Sequence, residues 1–305
     1  MKTKLSAAAA FACALSTSAF AADLPSRKAA PVYVPPPPPV LWTGFYVGLN
    51  AGGTWDATSS TTISSSGYVV PGLFASTPTG LAAAATANGV FGTAASGFIG
   101  GGQVGYNWQF APAWVVGLEA DIQGTTAQGT GNLSNAIFVP QSPATVTTTL
   151  SATKSLDYLG TVRGRIGYLI TPTLLFYGTG GLAYGGANAS GQIFGLLTPP
   201  NYVPPFANAW STAGSYSDTR AGWTAGGGVE WMFLPNWSAK VEYLYYDLGS
   251  VTTNLGTLSN SWAAPNFVAF AFLSQSTTRF DGHIVRAGVN YHFNWAPPAP
   301  VVAKY

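Results

Sequence analysis

From residue 44 onward the chain repeatedly sets large apolar side chains against small or polar ones with a period of two. In a β-strand that spacing sends successive side chains to opposite faces. Residues 114–123 show it most cleanly, with Trp114, Val116, Leu118, Ala120 and Ile122 on one face and Glu119, Asp121 and Gln123 on the other. Seven further stretches read the same way: 44–55, 98–110, 156–168, 174–184, 220–233, 237–248 and 280–293. In 156–168, Tyr158, Val162, Ile166 and Tyr168 oppose Asp157, Thr161, Arg163 and Arg165; in 280–293, Val285, Ala287, Val289, Tyr291 and Phe293 oppose Arg286, Asn290 and His292. Both faces of 174–184 are apolar, which leaves its orientation open.

The connections alternate in length. Three are short turns carrying Pro112, Pro172 and Pro235, and four are long, at about residues 56–97, 124–155, 185–219 and 249–279. No apolar run of about 20 residues, the length a membrane helix needs, occurs after the N-terminus. A closed barrel is the other structure that satisfies every backbone polar group in lipid, and its strands need only about 9 to 11 residues each. The pattern therefore predicts an all-β fold, an eight-stranded antiparallel transmembrane β-barrel with short periplasmic turns, long extracellular loops and both termini in the periplasm. Aromatics flank the short turns, among them Tyr106, Trp108, Phe110, Trp114, Trp231, Phe233, Trp237, Tyr291 and Phe293, as a girdle at the periplasmic interface would require. Within the long connections lie three apolar islands, 68–70, 136–139 and 267–272. They extend strands beyond the membrane, or the first two add a pair of strands for a count of ten, or they form a surface that binds a partner.

Composition sharpens this picture. Only 7% of residues are charged, against roughly 25% in an ordinary soluble domain. Ten of the charged residues fall on the face opposite the apolar one: Glu119, Asp121, Asp157, Glu230, Glu242, Arg163, Arg165, Arg220, Lys240 and Arg286. A lipid-facing Arg or Lys at the bilayer midplane costs about 2 to 4 kcal/mol, so these ten are expected as an ion-pair network inside the barrel. Asp247, Arg279 and Asp281 carry the other parity, at strand ends where that cost is small. An eight-stranded barrel is just wide enough for its own side chains to fill, so a balanced interior implies a plug. A structural, surface-exposed protein of the envelope is accordingly ranked ahead of a porin-like channel for small solutes or a ligand-binding barrel.

The first residues read as a secretory signal peptide over 1–21: Lys2 and Lys4, an apolar run from 5 to 15, and Ala19 and Ala21 as the signal-peptidase site. Cys13, the one cysteine, leaves with it, unless it is the acylated residue of a lipoprotein. A Pro-rich periplasmic segment follows over 22–41, the barrel occupies 42–295, and a short tail covers 296–305. Net charge is +2 with no basic cluster beyond Arg27 and Lys28, so nucleic-acid binding has no support. Metal, cofactor and catalytic sites have none either. The two histidines are separated, His292 near the short-turn rim and His283 on the lipid-facing parity, and no enzyme activity is expected. The glycine runs 100–102, 180–181 and 226–228 lack the context of a phosphate-binding loop and read as strand glycines.

Four stretches, 42–48 (WTGFYVG), 114–123, 241–247 (VEYLYYD) and 286–293 (RAGVNYHF), resemble the small surface-antigen outer-membrane β-barrel proteins of alpha-proteobacteria. The resemblance implies the outer membrane of a Gram-negative bacterium, a structural and surface-exposed role, and no catalytic residues. It also implies a barrel-assembly signal in the last strand, at Arg286, Gly288, Tyr291 and Phe293, although twelve more residues follow it where the usual signal ends the chain. The expected partners are outer-membrane lipid and lipopolysaccharide, periplasmic chaperones, the barrel-assembly machinery, and host or surface ligands at the loops.

Overall fold

The structure, a computed structural model, describes residues 42–68, 78–141, 143–198, 208–262 and 267–293. The first elements in chain order are β1 (Gly44–Asp56), β2 (Ser60–Tyr68), α1 (Pro78–Thr86), β3 (Gly89–Gly92), β4 (Ser96–Ala111) and β5 (Trp114–Thr125). They are followed by β6 (Gln128–Val139), β7 (Ala144–Thr171), β8 (Leu174–Thr198), β9 (Asn208–Leu234), β10 (Trp237–Trp262) and β11 (Phe267–Phe293). All pairings are antiparallel. Eight strands form a ring in the order β1-β4-β5-β7-β8-β9-β10-β11, which β1 and β11 close along a ladder from Phe45 opposite Phe293 to Asp56 opposite Gly282.

Each alternating stretch expected from the sequence lies in one of these eight strands. At the short-turn end the turns are stitched to a neighbouring strand: Leu169 N donates to Ala113 O (2.7 Å), Met232 N to Thr173 O (2.8 Å) and His292 N to Asn236 O (2.8 Å). The outer face is apolar, with Leu49 74% and Leu118 67% exposed, and the open question about β8 resolves with Phe176 and Leu182 outside and Leu175 and Tyr177 inside. Aromatic side chains crowd both margins of this face. Trp108, Phe110, Trp114, Trp231, Phe233, Trp237 and Phe293 ring the short-turn margin, and Trp55, Phe98, Trp223 and Tyr243 the other. On β1 the two margins lie ten residues apart, at Phe45 and Trp55. That is about 33 Å of strand, and a tilt of 35–45° reduces it to roughly the 25 Å height of a lipid-facing band.

The strands do not stop there. β7 to β11 run 25 to 28 residues each, more than twice what a bilayer requires. Much of the four connections expected as loops is therefore strand. The cause is a second alternation, of hydroxyl residues outside and mainly apolar ones inside: Thr145, Thr147, Thr149, Ser151 and Thr153 alternate with Val146, Leu150 and Ala152, joined inside by Thr148 and Lys154. β-branched threonine suits the extended backbone. Where β1, β4 and β5 end, β2, β3 and β6 take over, and the assembly becomes two four-stranded sheets, β6-β7-β8-β9 and β10-β11-β2-β3. Of the apolar islands, Tyr68 ends β2, 136–139 belong to β6 and 267–272 to β11; β2 and β6 lie outside the ring, so neither raises its count, and residues 69 and 70 are outside the described residues.

Between the sheets sits α1, which the sequence pattern did not announce. Its proline opens the helix, four consecutive alanines extend it, and small side chains let Ala82 and Ala83 bury against the strands. Asn88 closes it, donating from Nδ2 to Ala84 O (2.6 Å).

The inward face of β7 passes through every layer of the interior. From the short-turn end it presents Leu169, in a cluster with Trp42, Val115, Leu175, Tyr177 and Met232; then Arg165, Arg163 and Thr161; then Leu159 and Leu156, packed with Ala183, Leu244, Phe280 and Ile284; then Lys154; and finally Ala152, Leu150 and Val146, in the cluster that holds α1. The segments expected as signal peptide, Pro-rich periplasmic segment and C-terminal tail lie outside the described residues.

Candidate functional site

The polar layer of the interior collects charge from five strands. Arg163 on β7 reaches three carboxylates: Asp121 (2.9 Å) and Glu119 on β5, and Glu242 (2.9 Å) on β10. Arg286 on β11 binds Asp121 (2.8 Å) and Glu242 (2.5 Å), and Lys240 on β10 places Nζ 2.9 Å from both oxygens of Glu119. Arg165 pairs with Glu230 on β9 (2.7 Å) and lies between the rings of Tyr46 and Tyr177, its guanidinium carbon 5.4 and 4.6 Å from their centroids. Tyr46 donates to Glu119 (2.6 Å), Tyr177 to Glu242 (3.1 Å) and Thr161 to Asp121 (2.9 Å). Four carboxylates and four cations, all essentially buried, cancel in charge. Buried charges are tolerated only when so paired and hydrogen-bonded.

Alternation brings these together because, within this layer, odd-numbered residues of β5 and β7 and even-numbered residues of β9, β10 and β11 face inward. Eight of the ten charges expected inside are there. Asp157 and Arg220 are not. Asp157 is exposed on the outer face because β7 carries a bulge between Leu156 and Leu159, which reverses the parity along the strand. Arg220 sits higher, beside β10, where its Nη2 donates to Ser250 O (3.4 Å), and it joins no carboxylate of the network among the described residues.

Asp247 and Asp281, read from parity as lipid-facing, are buried. The link from β1 to β2 folds over Asp281, whose carboxylate accepts from Thr58 N (3.0 Å) and Thr58 Oγ1 (2.8 Å). Asp247 precedes a second bulge, where Gly249 adopts φ 80° and donates to Asp247 Oδ1 (2.8 Å). Arg279 spans the two, 2.5 Å from Asp247 and 3.5 Å from Asp281. Just beyond the upper aromatic margin Asp56 binds Lys154 (2.7 Å), a pair that sequence reading missed because β2, β3 and β6 enclose it. Burial pushes the Asp56 carboxyl above its ordinary range, against the pull of Lys154.

One trio has the composition of a hydrolase. Ser238 Oγ lies 2.8 Å from His292 Nε2 and 2.5 Å from Glu230 Oε1. The arrangement is wrong for nucleophilic attack: the serine proton goes to the carboxylate, the same histidine nitrogen faces both partners, and all three side chains are buried. His283, the other histidine, is held outside by Tyr243, whose hydroxyl is 2.7 Å from Nδ1. In β11, Arg286 belongs to the network, a Cβ on Gly288 would sit 2.9 Å from Leu49 O, and Tyr291 and Phe293 pack edge to face on the outside, 5.1 Å apart. Ala19 and Ala21 lie outside the described residues.

Comparison with known proteins agrees with this architecture. Residues 7–293 match the outer membrane protein beta-barrel domain family. The 31 kDa outer-membrane immunogenic protein of Brucella melitensis is 34% identical over 93% of this chain and 98% of its own length. The 22 kDa outer membrane protein of Rhizobium leguminosarum is 30% identical over 53% of this chain and 62% of its own. Among solved structures, the outer membrane protein OprG of Pseudomonas aeruginosa aligns over 82% of this chain and 97% of its own at 11% identity, with a TM-score of 0.34. The resemblance to alpha-proteobacterial surface antigens holds, and the chain belongs to the outer membrane protein beta-barrel domain family.

Proposed function

We propose that this protein is a filled, non-conducting eight-stranded barrel that reinforces the outer membrane and displays a long folded extension outside the cell. One observation carries this reading: the inward face of β7 meets packed or ion-paired neighbours at every layer, from Leu169 through Arg163 and Leu159 to Leu150. The side chains of Arg163, Asp121 and Arg286 have no exposed surface, so no water-filled path passes them. The short-turn end faces the periplasm, as short turns do in bacterial barrels, and the two-sheet extension faces out. The Ser238, His292 and Glu230 trio is read as interior bonding, not as catalysis. The outward-facing Tyr291 and Phe293 of β11 are assigned to recognition by the assembly machinery.

Planar-bilayer recording from purified, folded protein tests this reading. Silent bilayers at protein densities that give heat-modifiable barrel on gels are the expected result. Steady openings of defined size would return the function to a small-solute channel.

A further inference from the structure

Charge is almost absent from the extension. In the strand segments 60–68, 128–155, 188–198, 208–217, 250–262 and 267–278 the one ionisable Lys, Arg, Asp or Glu is Lys154, and it points inward to Asp56. The outward face of β7, β8 and β9 is instead a neutral polar wall. Across the ladders Thr153, Ser190 and Ser215 form one row, and Ser151, Gln192 and Ala213 the next. These residues line a shallow open depression of about 410 Å³, and Phe194, 44% exposed, stands in the row beyond.

The position of this wall limits what can cover it. On β8, Leu182 lies opposite Trp223 of the upper aromatic margin, and Ser190 follows eight residues later without a register shift. Eight residues are about 26 Å of strand, or about 20 Å of height at the usual tilt. The wall therefore stands on the side of the molecule, directly above the lipid-facing band. Between them lies a belt of outward charge, Asp157, Asp218 and Arg279, at the level where lipid phosphates would sit. A component of the same membrane that rises about this far above the lipid-facing band would flank the wall.

The geometry points to the wall as a docking surface for the neutral saccharide part of an outer-leaflet glycolipid. Hydroxyl and carboxamide groups both donate and accept, which matches sugar hydroxyls. An exposed phenyl ring offers an apolar platform for the C–H face of a pyranose. An anionic partner would call for Arg or Lys, and the wall has none. This inference rests on the orientation proposed above.

The test reconstitutes the mature full-length protein into nanodiscs in three arms: a glycolipid bearing a neutral oligosaccharide, the same lipid anchor without that oligosaccharide, and phospholipid alone. Native mass spectrometry then counts lipids retained per barrel. At least a threefold preference for the sugar-bearing lipid over its bare anchor is expected. The Gln192→Ala, Phe194→Ala double variant should lose that preference, and Asn254→Ala on the opposite sheet should keep it. All three residues face outward, and heat-modifiable migration verifies that the variants fold. Equal retention of the bare anchor overturns the proposal, as does an undiminished preference in the folded double variant. A soluble neutral oligosaccharide, added to protein in detergent, should be retained far less than the lipid-borne one; equal retention assigns the wall to soluble glycans and overturns the membrane source. A barrel that conducts yet keeps the preference would remove the filled-lumen reading and leave this one standing.

Discussion

Arg163 touches three carboxylates on two strands, so its loss leaves Glu119, Asp121 and Glu242 facing one another with fewer cations between them. Removing one partner from a buried ion pair costs about 3 to 5 kcal/mol. Arg163→Met is expected to lower the unfolding midpoint in urea accordingly, read as the loss of the fast-migrating folded band. Asp157→Asn, on the outer face, should leave that midpoint unchanged. The contrast separates what a sequence can say about residues from what it cannot. Eight of the ten charges were legible because strict alternation places a charged residue by parity alone. Asp157 was not, since nothing in its neighbours marks the extra residue that shifts β7 out of phase. The pair of Asp56 and Lys154 was equally hidden, because its enclosure depends on strands distant in sequence.

At the scale of elements, close approach between strands decides which glycines matter. A Cβ on Gly101 would fall 2.0 Å from Ile122 O, inside the backbone of β5, whereas one on Gly124 meets nothing within 4 Å. Gly101→Val should therefore abolish recovery of folded barrel after refolding into detergent, and Gly124→Val should refold like the parent. The eight ring strands were readable from aromatic and branched residues against polar ones. Their continuation was harder to see, because Thr and Ser outside and Ala, Val and Leu inside make a low-contrast alternation that resembles a flexible loop. The helix α1 gave still less signal: its nine residues owe their place to alanines small enough to fit between two sheets, a property of the cavity they enter.

Over the whole molecule the division between lipid-facing and enclosed surface makes a sharp prediction. Lipid-soluble carbene probes should label Leu118, Val241 and Ile166, each more than half exposed, and spare Glu119, Lys240 and Arg163; comparable labelling of both sets would defeat the barrel orientation. The overall fold was legible because a bilayer punishes misplaced charge so heavily that the pattern survives in the sequence. The filling of the extension was not, since it depends on how two sheets meet. The inward turn of Lys154 has a practical consequence for finding this protein on cells. No other Lys or Arg occurs between residues 29 and 162, and none in 188–217 or 250–278, so in the orientation proposed above trypsin has almost nothing to cut in the extension. Shaving intact bacteria with trypsin should release no peptide ending at Lys154, while a digest of the denatured chain should yield one fragment of residues 29–154. A barrel of this design would be passed over by a survey that releases peptides from intact cells by cleavage after basic residues.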